Sequence, residues 1–236
     1  MSAVSVTQLV ANLKTVRERI AQASLRAGRS PADVKLLAVS KTHSIELIRA
    51  AFHEGQLAFG ENYVQEALPK LEALPDAEWH LIGPLQSKKA KQVAGRFKLI
   101  HTLDREKLAA EVSKAVVERG LIQDVLIQVR IGDEETKSGV SASEAAPLLE
   151  RIQELHGLRL RGLMALPPLS EDETVARGYF SELRELAEKL RQTYLSPQNR
   201  SYFTELSMGT SSDFEWAILE GATIVRVGTS IFGGRV

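Results

Sequence analysis

The sequence predicts an α/β fold: a closed (β/α)8 barrel of the TIM type with one extra helix at its N-terminal end. Three observations point there. Helix-period runs and short strand-like runs alternate along the chain, which implies a parallel sheet. Eight strand candidates follow one leading helix, at roughly thirty residues per unit. The 236 residues suit one such barrel, read as a single domain over 1–236. An open doubly wound sheet is the competing arrangement. No GxGxxG follows the first strand, which weakens a dinucleotide-binding version of it.

Taken in order, Val6 to Ala27 carries Leu9, Leu13, Val16 and Ile20 at helical spacing. Gly28 stops that helix and Ser30-Pro31 breaks the chain. Val34 to Ser40 is a short apolar run ending in polar residues, the pattern of a buried parallel strand. A helix over Ile45 to His53 leads to a strand at Leu57 to Phe59, and a helix over Tyr63 to Leu71 to a strand at Trp79 to Ile82. Ser87 to Ala94 reads as a basic helix and Phe97 to His101 as a strand. Asp104 is the expected cap of a helix running to Arg119, with Leu108, Val112 and Val116 on one face. Val125 to Val129 is the most apolar strand. Ala142 to Leu155 is helical, Leu158 to Met164 a strand and Thr174 to Tyr194 a long helix. Glu205-Leu206 is a short strand, Phe214 to Leu219 a short helix, and Ala222 to Val227 the last strand.

Composition excludes several classes. Thirty basic residues balance thirty acidic ones, so no whole-protein field favours nucleic acid or an anionic membrane. There is no cysteine, hence no disulfide, zinc-thiolate site or thiol nucleophile. Met1 to Leu13 lacks a basic segment followed by an apolar one, and no run approaches the roughly 20 apolar residues of a spanning helix. The expectation is a cytoplasmic protein.

In a barrel, chemistry gathers where strands end. Lys41 stands just past the first strand. There its amine can become nucleophilic, as a Schiff-base lysine must, or it is a plain surface lysine. Gly60-Glu61-Asn62 follows the second strand; Asn62 is either a helix cap or a hydrogen-bonding partner for a ring oxygen. His80 reads best as a satisfied core histidine, and Ser87-Lys88-Lys89-Ala90-Lys91 as a solvated helix face. Ser207 to Asp213, with Met208, Gly209 and Thr210, follows the seventh strand, and Arg226-Val227-Gly228-Thr229 ends the eighth. Those two loops are where barrels often bind phosphate, and small hydroxyl residues with backbone N–H groups suit that anion. A phosphate site beside a strand-end lysine suits a phosphorylated aldehyde, and composition does not separate an aldolase from a pyridoxal protein.

Several segments together carry a resemblance. They are Leu36 to Thr42, Phe59 to Glu66, Trp79 to Ser87, Gly162-Leu163-Met164, Leu206 to Gly209 with Ser212-Asp213, and Val225 to Thr229 with Ile231-Phe232-Gly233. In this order, over nearly the whole chain, they resemble the YggS/PROSC family of pyridoxal phosphate homeostasis proteins. The resemblance implies a barrel like the N-terminal domain of alanine racemase (fold type III) without that enzyme's second domain. It implies pyridoxal 5′-phosphate (PLP) held as a Schiff base on Lys41, and phosphate contacts at Ser207, Gly228 and Thr229, with Met208 and Gly209 nearby. It further implies Arg226 facing the pyridine nitrogen and Asn62 beside the cofactor. The implied role is buffering or delivering PLP, in vitamin B6 and amino-acid balance, with no established catalysis. PLP-dependent apo-enzymes are the implied recipients. Two positions depart from the usual pattern: Thr210 replaces a common Met, and Arg130, expected at the barrel mouth, a common Asn.

An arginine opposite the ring nitrogen has no acceptor atom, so it leaves that nitrogen unprotonated and the ring a weak electron sink. Racemisation normally needs a second acid/base group. In alanine racemase a tyrosine from the side of the missing domain serves, and none of Tyr63, Tyr179, Tyr194 and Tyr202 stands in a recognisable second-domain site. The alternatives are a low-activity PLP-dependent racemase, then a barrel aldolase, then a scaffold without cofactor. A monomer is expected, because the second domain that helps build the racemase dimer is missing. A looser PLP site on Lys88, Lys89, Lys91 or Lys137 has no spacing argument behind it.

Overall fold

A computed structural model describes residues 4–132 and 138–234. Strands β1 (Lys35–Val39), β2 (Ala58–Glu61), β3 (Glu78–Leu81), β4 (Leu99–Leu103), β5 (Gln123–Val129), β6 (Leu158–Ala165), β7 (Glu205–Ser207) and β8 (Ile224–Val227) are parallel neighbours in sequence order. β8 returns to β1, with Leu37 opposite Arg226, and closes the barrel. The open-sheet alternative is thereby excluded.

Helices α1 (Val6–Arg26), α2 (Ile45–His53), α3 (Val64–Ala73), α4 (Ala90–Val93), α5 (Glu106–Val117), α6 (Ala142–Gln153), α7 (Glu173–Tyr194), α8 (Pro197–Tyr202), α9 (Phe214–Leu219) and α10 (Thr229–Phe232) connect or flank the strands. α1 starts at Ser5, whose hydroxyl accepts from the Gln8 amide, and buries Leu9, Leu13, Val16 and Ile20 as the helical spacing predicts. The larger apolar core lies between the helices and the outer faces of the strands. A smaller cluster of Leu37, Ala58, Leu99, Leu126, Met164 and Ile224 fills the barrel's interior.

Several expected boundaries move. Gly60 and Glu61 lie inside β2, because the β2–β3 pairing runs on to Glu61 opposite Leu81. Asn62 is not the cap of α3; Tyr63 holds that position without a side-chain bond. Nor does Asp104 cap α5: its carboxylate pairs with the Arg105 guanidinium, and Arg105 occupies the N-cap position. The basic helix shrinks to a 3-10 turn at Ser87–Lys89 followed by the single turn α4. α8 and α10, one short turn or two each, have no counterpart in the sequence reading.

Candidate functional site

A cavity of about 660 Å³ opens at the C-terminal ends of the strands, the end at which barrels carry function. Lys41, Asn62, Gln128, Met164, Arg226 and the loop Thr210-Ser211-Ser212 line it, with Gly228 and Thr229 on the same wall. Five of the predicted residues therefore converge: Lys41, Asn62, Arg226, Gly228 and Thr229. The other three do not reach the cavity. Ser207 and Met208 are fully buried, and Met208 packs in the outer core. Gly209 shapes the loop: its φ of +87° and its approach to α9 leave no room for a Cβ, which would stand 2.6 Å from Ala217.

The segment around Lys41 is held from behind by a buried ionic cluster. Lys70 of α3 donates to the Ser40 carbonyl (2.9 Å), to Glu61 Oε1 (2.8 Å) and to Glu66 Oε1 (2.6 Å). The Ser40 hydroxyl donates to Glu61 Oε1 at 2.7 Å, and Glu66 accepts the Thr42 amide. Burial pushes the Glu61 carboxyl up, against the pull of Lys70. Thr42 has a φ of 66°, the one positive φ at a non-glycine among the described residues. A β-branched residue there is strained by about 1–3 kcal/mol. The Glu66 acceptor and the bonds at Ser40 hold the strained turn on both sides of Lys41. His43, also on the cavity wall, stacks on Phe232 at 4.8 Å, and burial followed by the Lys70 charge lowers its imidazole pKa.

On the opposite wall the loops after β7 and β8 are tied together. Ser211 Oγ accepts from the Gly228 amide (3.1 Å) and the Ser230 amide (3.4 Å). Asp213 accepts the Thr210 amide (2.6 Å) and hydroxyl (3.0 Å). Among the described residues no acceptor takes the amides of Ser211, Ser212 or Thr229. α9 and α10 are too short to add a useful macrodipole, so the anion-attracting elements here are N–H groups and hydroxyls.

Arg226 reaches the cavity from inside the barrel. Its guanidinium donates to Ser207 Oγ (2.8 Å) and to the Ala165 carbonyl (2.8 Å). Burial lowers its pKa to about 10, which leaves it protonated at neutral pH. Ser207 Oγ lies 2.9 Å from His101 Nδ1; His101 Nε2 lies 2.8 Å from His80 Nδ1; His80 Nε2 lies 2.7 Å from Glu78 Oε1. His80 is thus the satisfied core histidine expected. Ser207 joins this interior line and does not line the cavity. The His80 hydrogen bond, then Lys35, holds the Glu78 carboxyl down at about 2. Burial lowers His80 despite Glu78, and lowers His101 well below the usual imidazole value.

The remaining expectations divide. Thr210 lines the cavity, whereas Arg130 does not and has its guanidinium 3.8 Å from Glu144. Lys137 lies outside the described residues. Glu61, Glu66, Lys70, His43 and His101 carry no site signal in the sequence reading. Strand alternation contains one for His101: with Leu99 inward, His101 two residues on is inward too. Among the described residues, no acidic or imidazole group is arranged to hold a metal ion, and no helix is long and apolar enough to cross a membrane.

The alanine racemase N-terminal domain model matches residues 5–236. An Aquifex aeolicus protein named pyridoxal phosphate homeostasis protein is 47% identical over 225 residues, covering 94% of this chain and 96% of its own. One of the same name from Escherichia coli strain K12 is 42% identical, covering 95% of each. The chain belongs to the pyridoxal phosphate homeostasis family. PipY from Synechococcus elongatus, solved with PLP bound, superposes with a TM-score of 0.79 at 39% identity, over 92% of this chain and all of PipY. Alanine racemase from Corynebacterium glutamicum shares the fold at a TM-score of 0.73 and 15% identity, and the match covers 62% of that enzyme. Homeostasis-family chains are thus matched along nearly their whole length, and the racemase along its barrel portion.

Proposed function

We propose that this protein binds PLP in the mouth cavity and buffers or delivers it, with the aldehyde carbon held covalently by Lys41. The observation that carries the reading is the convergence of Lys41, Asn62, Arg226 and the paired loops at 210–212 and 228–229 on one cavity. Asn62 Oδ1 is buried without a partner, an arrangement that costs free energy unless a ligand donor fills it. The ring hydroxyl of PLP is such a donor. The open amides of Ser211, Ser212 and Thr229 suit the phosphate dianion, and the always-protonated Arg226 suits an unprotonated ring nitrogen. Bound PLP supplies an electrophilic aldehyde. Lys41, on the cavity wall, is the amine that would hold that aldehyde reversibly. The PLP-bound state of PipY and the names of the relatives agree with this reading.

Delivery rather than turnover is the reading the lining favours, since among the described residues it contains no tyrosine. His43 is the group that would favour the racemase alternative, because its imidazole is on the cavity wall. The test is to add PLP to the purified protein, record the visible spectrum, reduce with borohydride and map the modified lysine by mass spectrometry. A Schiff-base band with the label on Lys41 is expected. Label scattered over Lys88, Lys89 and Lys91, or no band, would overturn the reading. Incubating the loaded protein with single-enantiomer amino acids should leave their chirality unchanged; inversion that disappears in Lys41→Ala would establish the racemase instead.

A further inference from the structure

We propose that the buried line Glu78–His80–His101–Ser207 is a proton-ordered brace for Arg226, so that Glu78, at the far end of the barrel, is a positioning residue for the ring that Arg226 faces. The inference rests on the PLP reading only for the identity of that ring.

The order follows from what each end can do. An arginine side chain donates and never accepts, while an ionised carboxylate accepts and never donates. Between Arg226 and Glu78 stand three groups capable of both. One assignment satisfies every link with neutral rings. Arg226 Nη1–H donates to Ser207 Oγ, and the Ser207 hydroxyl donates to His101 Nδ1. His101 Nε2–H donates to His80 Nδ1, and His80 Nε2–H donates to Glu78 Oε1. Reversing the link between the histidines demands a second proton on His80. It also leaves the Ser207 hydroxyl hydrogen without an acceptor among the described residues. Both costs fall on buried groups, where an unmet polar atom is most expensive.

The line is not a by-product of surface chemistry. Ser207, His80 and His101 are fully or almost fully buried, side by side with the interior cluster of Leu37, Leu99 and Leu126. Branched apolar residues would fill that layer as well. What the polar line adds is a fixed acceptor under one guanidinium nitrogen, while the Ala165 carbonyl fixes the other. A guanidinium pinned at two points presents its remaining donors in one orientation. Glu78 sets the polarity of the whole line from the N-terminal ends of the strands, where it also pairs with Lys35 and lines a second cavity with Asp76, Arg96 and Lys98.

The test uses the full chain labelled with 15N in histidine and arginine side chains. In the parent, without PLP, the spectra should show His80 and His101 neutral at pH 7, each with its hydrogen on Nε2, and a sharp, slowly exchanging Arg226 Nε–H. Glu78→Leu removes the terminal acceptor. It should change the His80 tautomer, broaden the Arg226 resonance and weaken PLP binding about tenfold, the worth of one charge-assisted hydrogen bond. Glu78→Gln keeps an acceptor oxygen and should restore the tautomers, the Arg226 resonance and affinity to within about twofold. A cationic ring or an Nδ1–H ring in the parent would overturn the proposal. So would a Glu78→Leu protein that melts lower while its tautomers and Arg226 resonance stay as in the parent. If the parent takes up no PLP, the function proposed above fails, and the histidine and Arg226 resonances still decide for or against the brace.

Discussion

At the scale of single residues, the site is built on a contradiction that Lys70 resolves. Glu61 is completely buried, and its Oε2 has no partner; its other oxygen depends on Lys70 and Ser40. Breaking a buried pair by removing one partner costs more than the pair contributes, because a desolvated charge is left behind. Lys70→Met should therefore lose about 3–5 kcal/mol in urea denaturation at pH 8. The sign of its pH dependence is fixed by Glu61. That carboxyl is already pushed up by burial, and without Lys70 it rises further. Protonation then removes the stranded charge, so the deficit should shrink as pH falls toward 5. Lys70→Met combined with Glu61→Leu should recover much of the loss even at pH 8. A deficit in Lys70→Met that is independent of pH would mean that Glu61 is not the stranded partner.

At the scale of elements, the loop after β7 and the long helix α7 make opposite use of glycine. Gly209→Ala forces a Cβ to 2.6 Å from Ala217 and 2.9 Å from the Phe214 Cα, at a φ of +87°. It should cost about 1–3 kcal/mol in urea denaturation and displace the 210–212 amides, weakening PLP binding. Gly178 lies inside α7 with nothing within 4 Å of an added Cβ. Gly178→Ala should stabilise by about 0.5–1 kcal/mol in the same assay and leave PLP affinity alone. The same contrast explains what the sequence made legible. Elements were visible where one face is apolar, as in α1, or where the run is mostly apolar, as over Val125 to Val129 of β5. The failures came where local chemistry was outvoted by pairing: Gly60 and Glu61 look like a loop but are held in β2 by β3, and Asp104 looks like a cap but pairs with Arg105. Five of the eight expected site residues line the cavity because strand-end position needs only element order. Ser207 stays off the cavity lining because it alternates into the barrel, and the Glu66–Lys70 pair reads in sequence as an ordinary surface pair of α3.

At the scale of the whole molecule, a neutral chain with thirty charges of each sign has no net field to drive acid unfolding near neutrality, so its pH response falls to buried groups. His43, His80 and His101 all have lowered pKa values, with burial the largest cause in each. Below pH 6.5 the unfolded chain protonates these rings and the folded chain resists. The unfolded state then binds more protons, and stability falls as pH falls, by about 1.4 kcal/mol per pH unit for each ring held neutral. Glu78 acts in the same direction lower down. Its carboxyl sits at about 2 instead of 4.5, so the stability it lends is present above pH 4.5 and is lost as pH drops toward 2. Glu61 acts in the opposite sense, since the folded state takes its proton first. The two fully buried rings dominate between pH 6.5 and 5.5, where carboxylates scarcely titrate. Urea unfolding at pH 5.5 should therefore take up protons, and stability there should be lower than at pH 7.5. Proton uptake near zero would mean that His80 and His101 already carry charge in the folded barrel, and the interior line would then have to run with a different proton order.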